Sequence, residues 1–412
     1  MSPLAPQVSV TTRHAVSAYP WQAQSRVPRD GVLIGVNHLA GGAAFCYDPW
    51  ECYAAGTVTS PNMVVAGQLG KGKSALVKSY LSRQLLAGRA AYVLDPKGEY
   101  GPLADRHELP RLTLAPGGAD RLNPLDADPN DADGADVVLR RRAGLVAALA
   151  GAGLGRPLSP EERAAVAGAC ANLPAAPVLS DVVERLLDPT DAMAAAVSTR
   201  PRTLALAVRP VALELQRLLT GDLAGIVDGP TTVQLDPDGR GLVLDLSATF
   251  GTDALAPVMV CAGTWLQRAI SAPNDRRQLL LVDEAWALLG SAATTRWLQS
   301  VSKLARSHGV QLIVVVHRLS DLHAQADSGT ATRAQAGGLL ADAETRVVYA
   351  QAPGERDLAA RLLDLSEVET DLVTRLPPHR ALWRVGTCTA VVDHVLSAGE
   401  VGLVDTDARM RT

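Results

Sequence analysis

The eight residues Gly67-Gln68-Leu69-Gly70-Lys71-Gly72-Lys73-Ser74 fit the pattern G-x-x-x-x-G-K-[ST]. They stand between an apolar run, Met63 to Ala66, and a stretch from Ala75 to Leu86 whose helical periodicity ends near Gly88. A buried strand that passes through a glycine-rich turn into a helix is the setting in which this pattern binds phosphate. The glycines let backbone N–H groups between Gly67 and Ala75 (Gly67, Gln68, Leu69, Gly70, Lys71, Gly72, Lys73, Ser74 and Ala75) converge on phosphate oxygens, and the helix N-terminus adds partial positive charge. Lys73 is expected to reach the β- and γ-phosphates and Ser74 to ligate Mg2+. The competing reading is a glycine-rich turn arisen by chance. Against it, the chain has 5 lysines and 34 arginines, yet the loop position holds lysine, whose compact ammonium fits among phosphates where a guanidinium fork does not.

Far along the chain, Gln278-Leu279-Leu280-Leu281-Val282-Asp283-Glu284 brings two carboxylates to the point where an apolar strand ends. In open parallel sheets, ligands gather at the carboxyl ends of the strands. Asp283 is expected to hold Mg2+ through water, and Glu284 to orient or deprotonate the water that attacks phosphorus. Alone, such a pair is as often a helix cap or a solvated turn. Joined to the phosphate loop, it favours hydrolysis of a nucleoside triphosphate.

Short apolar runs recur at Gly31 to Val36, Ala90 to Leu94, Gly241 to Leu246, Gln311 to Val316 and Thr345 to Ala350, most followed by a helical stretch. Strands separated by helices imply an α/β fold whose mostly parallel sheet is covered on both faces. Between Asp126 and Leu219 the pattern changes to Ala- and Leu-rich helices broken by Pro and Gly, with helix starts at Ser159-Pro160-Glu161-Glu162 and Ser180-Asp181. The expected division is an N-terminal lead-in over 1–60, an α/β core over 61–125 and 220–395, an all-helical insertion over 126–219, and a polar, frayed tail over 396–412. The turn Asp95-Pro96-Lys97-Gly98-Glu99 closes the strand at Ala90 to Leu94. Two readings of Asp95 and Glu99 stand level: they face the nucleotide, as a strand next to the loop strand would require, or they cap the next helix.

Bulk properties exclude several classes. A chain of 412 residues, 47% hydrophobic and 4% aromatic, has ample material for a helix-rich core and is not disordered by composition. A net charge of −4 gives no global pull toward nucleic acid or an anionic membrane. The densest basic run, Arg140-Arg141-Arg142, reads better as a solvated helix face than as a phosphate-backbone contact. Cys46, Cys52, Cys170, Cys261 and Cys388 are scattered and odd in number, which suggests neither a disulfide framework nor a zinc site and suits a reducing cytoplasm. Met1 to Val10 show no basic segment followed by an apolar stretch, and the longest apolar runs fall well short of a bilayer span. Peripheral docking at the inner face of the cell membrane is compatible with all of this.

Several further segments carry a family resemblance. Asp283-Glu284-Ala285-Trp286, Asp95-Pro96-Lys97-Gly98-Glu99-Tyr100, Arg121-Leu122-Asn123-Pro124-Leu125, and Phe45-Cys46-Tyr47-Asp48-Pro49-Trp50 leading to Pro61-Asn62 together resemble the motor domain of VirB-type type IV secretion ATPases of the HerA/FtsK superfamily. The resemblance covers about residues 30 to 395. It implies a RecA-like (ASCE) P-loop NTPase fold, ATP and Mg2+ as ligands, and a homo-oligomeric ring, a hexamer, with ATP at subunit interfaces. It also implies secretion-channel or conjugation proteins as partners, and DNA as a candidate substrate. Arg306, which precedes Gly309 and the next strand, matches the superfamily arginine that reaches a neighbour's γ-phosphate; otherwise it is a solvated surface charge. Arg346 and Arg375 are weaker candidates for that role. Where the superfamily presents Thr-Gln to sense the γ-phosphate, this chain has Val316-His317-Arg318, so His317 either senses phosphate or only ends a strand. The sequence offers no counterpart of the long N-terminal domain those ATPases usually carry, so docking is expected to involve another protein. Two further functions share the motif set: a HerA/FtsK-like DNA translocase, and an ATP-gated assembly scaffold with slow turnover.

Overall fold

The computed structural model describes residues 30–126, 134–221, 223–233, 236, 238–252, 254–271, 276–285, 292–305, 307–317, 319–320 and 337–404. Among the described residues eleven strands lie in one sheet: β1 (Val32–Asn37), β2 (Ala43–Tyr47), β3 (Met63–Ala66), β4 (Ala90–Asp95), β5 (Arg111–Thr113), β6 (Gly241–Asp245), β7 (Gln278–Val282), β8 (Val310–Val316), β9 (Thr345–Val348), β10 (Arg380–Val385) and β11 (Cys388–His394). Their order is β2-β1-β11-β10-β9-β3-β8-β7-β4-β6-β5. From β9 to β5 every pairing is parallel, and from β2 to β9 every pairing is antiparallel.

Every residue of β3, β4, β6, β7, β8 and β9 is buried, which is why these segments read as unbroken apolar runs. The two-residue period of a strand divides them between two cores. Val64, Tyr92, Leu94, Leu280, Val282, Leu312 and Val314 face one, while Val65, Val93, Leu279, Leu281, Ile313 and Val315 face the other.

The helices used below are α1 (Pro49–Ala54), α2 (Lys73–Leu86), α3 (Gly101–His107), α4 (Ala135–Gly153), α5 (Pro160–Ala171), α6 (Leu179–Leu187), α7 (Asp191–Ala196), α8 (Pro201–Thr220), α9 (Leu255–Ser271), α10 (Ala292–Ala305), α11 (Arg356–Leu362), α12 (Glu367–Val373) and α13 (Val401–Val404). Between β5 and β6 the described elements are the helices α4 to α8. Their buried Leu149, Leu186, Val208 and Leu215 continue the first core without a break. The second core holds α2 and α3, together with Phe45, Tyr47 and Trp383, whose rings approach to 5.1 and 5.4 Å from the Trp383 ring.

The structure departs from the sequence reading at three places. The lead-in is not separate from residue 30 onward, because β1 and β2 are sheet strands paired through β11. The strand β4 does not neighbour β3; β8 and β7 lie between them. The tail is not frayed up to residue 404, since Leu403 is buried in the second core and Arg83 donates to both Glu400 oxygens at 2.6 and 2.7 Å. A polar residue that suggested fraying is here satisfied inside.

Candidate functional site

The parallel order places the ends of β3, β8, β7 and β4 side by side. Ala66 is level with Val316, Val282 with Val314, and Leu94 with Val282. The phosphate loop, His317, the Asp283-Glu284 pair and the Asp95 turn therefore leave the sheet as adjacent loops.

Gly67 follows β3 at φ 149°, and a Cβ there would come within 2.6 Å of Tyr349 Cβ, so only glycine lets the loop turn off the strand. Gly72, at φ 107°, is the N-cap of α2, and no side chain caps that terminus. Lys73 is buried, and its ammonium donates to the carbonyls of Gly67 at 2.5 Å and Gln68 at 2.8 Å. Burial lowers its pKa to about 8, with Lys97 adding to the shift, while Asp283 and Glu284 oppose it. Lys73 is thus within electrostatic reach of both carboxylates and of a second ammonium. Ser74 sits half-buried in the first turn of α2.

Asp283 is buried and accepts from Tyr100 Oη at 2.9 Å and from the Glu284 backbone N–H at 2.8 Å. Burial and the Glu284 charge raise its pKa. Glu284 adopts φ 50°, a conformation that costs a residue with a side chain about 1 kcal/mol or more. Its carboxylate pairs with His317 Nε2 at 2.5 Å and with Lys97 Nζ. Burial pushes the Glu284 pKa up, but the His317 hydrogen bond and the Lys97 ion pair outweigh it and hold the group at about 2. His317 Nδ1 is buried with no hydrogen-bond partner among the described residues, so one ring nitrogen engages Glu284 and the other is left over. Asp283, Glu284 and His317 also form a three-ligand set whose donor atoms lie within 4.8 Å of one another.

Of the two readings of the acidic turn, the observed contacts are internal. The Asp95 carboxylate accepts from the backbone N–H groups of Lys97, Glu99 and Tyr100 at 3.3, 3.1 and 2.9 Å, and burial raises its pKa to about 6. Glu99 pairs at 3.6 Å with Lys78 on α2, whose ammonium also lies 5.3 Å from the Tyr100 ring centre. The turn is thereby tied to the phosphate-loop helix on one side and, through Tyr100, to Asp283 on the other.

Arg306 lies outside the described residues. Arg346 is buried and donates to the carbonyls of Ala343, Leu363 and Ala341 at 3.0, 3.0 and 2.9 Å; these contacts commit it to its own fold, not to a neighbour. Arg375 is exposed. Arg142 donates to the Leu125 carbonyl at 2.8 Å, so the basic run on α4 is not wholly solvated.

Sequence reasoning named Lys97 and Tyr100 only within the family-like motif, gave them no role, and did not single out Lys78. A signal was present: Lys71, Lys73, Lys78 and Lys97 are four of the chain's 5 lysines and fall within one short stretch.

No family model matches the sequence, and comparison with curated proteins finds no match. Solved structures do match. VirB4 of Thermoanaerobacter pseudethanolicus aligns over 92% of this chain and 100% of its own, at TM-score 0.71 and 20% identity. The plasmid coupling protein TrwB in complex with ADP and Mg2+ aligns over 82% of this chain and 86% of its own, at TM-score 0.56 and 18% identity. TrwB in an unbound form aligns over 90% and 94%, at TM-score 0.61 and 15% identity. Among the described residues no helix is long and apolar enough to cross a membrane. The chain therefore shares the α/β P-loop fold of VirB4 and the conjugative coupling protein TrwB, the resemblance to which its loop and strand-end motifs pointed.

Proposed function

We propose that this chain is the ATP-hydrolysing motor of a type IV secretion or conjugative DNA-transfer system and acts as an oligomeric ring. One observation carries the reading: the parallel pairing of β3, β8 and β7 brings the phosphate loop with Lys73 and the Asp283-Glu284 pair, distant in sequence, to the same end of the sheet. A solved TrwB structure holds ADP and Mg2+, which supports the same ligands here.

In this reading the loop from Gly67 to Ala75 cradles the phosphates and Lys73 leaves the Gly67 and Gln68 carbonyls for the β- and γ-phosphates. The Ser74 hydroxyl and Asp283 carboxylate are hard oxygen donors that suit Mg2+, and the raised Asp283 pKa marks a place where a further cation would be welcome. Bound there, Mg2+ would neutralise charge on the phosphate oxygens. Glu284 orients the attacking water and takes its proton as the water oxygen bonds to the γ-phosphorus. The bond from that phosphorus to the bridging oxygen breaks, and its electron pair leaves with ADP. His317 stands at the γ-phosphate-sensing position, and Arg306 supplies a cation to the neighbouring subunit's site.

The test is Mg2+-dependent ATP hydrolysis by purified protein. Turnover should collapse in Lys73→Ala and in Glu284→Gln, with the second variant still binding nucleotide. Equal turnover in wild type and Glu284→Gln removes Glu284 from the chemistry. Arg306→Ala mixed with Lys73→Ala should recover activity if the arginine acts across an interface, and mixed rings without recovery count against it. Stimulation by duplex DNA with a steep salt dependence would favour DNA pumping over channel work.

A further inference from the structure

Lys97 is the feature of the site that the hydrolytic reading does not use. The Asp95-bound turn fixes its backbone, and the level pairing of β4 with β7 sets that turn beside Glu284. Its ammonium is paired with Glu284, stands 5.7 Å from the Phe250 ring centre, and is close enough to Lys73 to perturb it. The partners differ in freedom: the Lys97 side chain is 32% exposed and that of Glu284 only 3%. The lysine can leave the pair and the glutamate cannot. While the Lys97 ammonium sits on the Glu284 carboxylate, it covers the oxygen that an attacking water would have to reach. A terminal phosphate carries more negative charge than one carboxylate and is a stronger attractor for an ammonium.

Resting on the ATPase reading above, we propose that Lys97 is a γ-phosphate-responsive latch: it holds Glu284 until the terminal phosphate of a bound nucleoside triphosphate takes its ammonium. One movement then does two things. It frees Glu284 to accept a proton, and it adds a positive charge to the phosphate being transferred. A nucleoside diphosphate has no group at that place, so it leaves the latch closed, and the site discriminates triphosphate from diphosphate through this residue.

The experiment compares equilibrium binding of ADP and of the β,γ-imido analogue of ATP, both with Mg2+, followed by steady-state ATP hydrolysis. Wild type should prefer the analogue. Lys97→Met should bind ADP as wild type does, lose about tenfold or more of that preference, and lose about tenfold or more in kcat. Lys97→Arg should restore part of the preference. Glu284→Gln should tighten the analogue relative to ADP, because the lysine no longer has a carboxylate to leave, and that gain should vanish in Glu284→Gln/Lys97→Met. Wild-type preference and kcat in Lys97→Met would overturn the latch, as would equal weakening of ADP and analogue, which is the mark of a merely structural lysine. Failure of wild type to bind either nucleotide would sink the ATPase reading itself and the latch with it. Binding without Lys97-dependent discrimination would sink the latch alone.

Discussion

The loops at the carboxyl ends of β3, β8, β7 and β4 and the helical block α4 to α8 follow opposite physical rules within one chain. The helical block is stabilised by what folding ordinarily rewards. Leu149, Leu186, Val208 and Leu215 are fully buried, Ser159 and Glu162 close a capping box, and Thr190 caps α7. The strand-end loops instead bury Lys73, Asp95, Asp283 and Glu284, hold Glu284 at positive φ and shift all four acid–base groups. Buried charge and backbone strain oppose folding, so they persist where they do something else. The difference teaches that in this fold the region least favourable to stability is the one to search for chemistry.

The sharpest way to break that comparison is to neutralise the loop lysine without removing its bulk. Lys73→Met should reduce ATP turnover by about 10²–10³-fold or more, since the proposed function makes its ammonium a donor to charge that develops on phosphate. Its thermal midpoint should not fall, because a buried ammonium penalised by its surroundings is replaced by an apolar chain. A midpoint that drops with the activity would mean that Lys73 holds the loop together and that the two regions do not differ as argued. The mirror-image change is Leu215→Ala in α8. Truncating this buried leucine should cost about 2–5 kcal/mol in urea unfolding while ATP turnover, measured well below the transition, stays near wild type. Loss of turnover in the folded variant would show the helical block to be coupled to the site.

A smaller effect comes from pH. Burial holds Lys73 at about 8, below its ordinary 10.5, and bound phosphate should restore the proton. Above about pH 8 the protein without nucleotide has released that proton, so binding must take it up again. Nucleotide affinity should then fall by up to about tenfold per pH unit. Calorimetric titrations at pH 7, 8 and 9 in buffers of different ionisation enthalpy read the proton uptake directly, and a flat profile would remove the lysine shift.

How much of this could be read from the sequence follows the same division. The parallel strands were legible because burial on both faces leaves an unbroken apolar run, as in Val310–Val316. The capping box at Ser159 was legible because its signal is local. Apart from the runs that form β1 and β9, the antiparallel flank was not. There β10 carries Arg380 and Arg384 among its apolar residues, and at the opposite, parallel edge β5 is only three residues long. The Gly386 turn at φ 57° that joins β10 to β11 was a usable hairpin signal. In the site, Lys73 and Glu284 are recognisable as motif residues, but the Lys97–Glu284 and Tyr100–Asp283 contacts depend on sheet order, which no local pattern encodes. The expectation that β4 lies beside β3 failed for that reason: nothing in either strand announces that β8 and β7 come between them.

The last and smallest effect belongs to the helical block and asks whether its charges obey ordinary linkage. Glu162 accepts from both terminal nitrogens of Arg156 at 2.8 and 2.7 Å and from the Ser159 backbone N–H at 2.7 Å. The Arg156 hydrogen bonds lead in lowering its pKa to about 2, against the opposing effect of burial. A carboxyl group whose native pKa lies below its ordinary 4.5 stabilises the fold above that value, and the stabilisation is lost as pH falls from about 4.5 to about 2. Glu162→Gln keeps the shape of the capping box but not its charge. It should be slightly less stable than wild type in urea at pH 7, and the gap should begin to narrow near pH 4.5 and fall to about half or less at pH 3. A gap that stays constant down to pH 3 would mean that the glutamate serves as a neutral hydrogen-bond acceptor, and the helical block would then owe nothing to its charges.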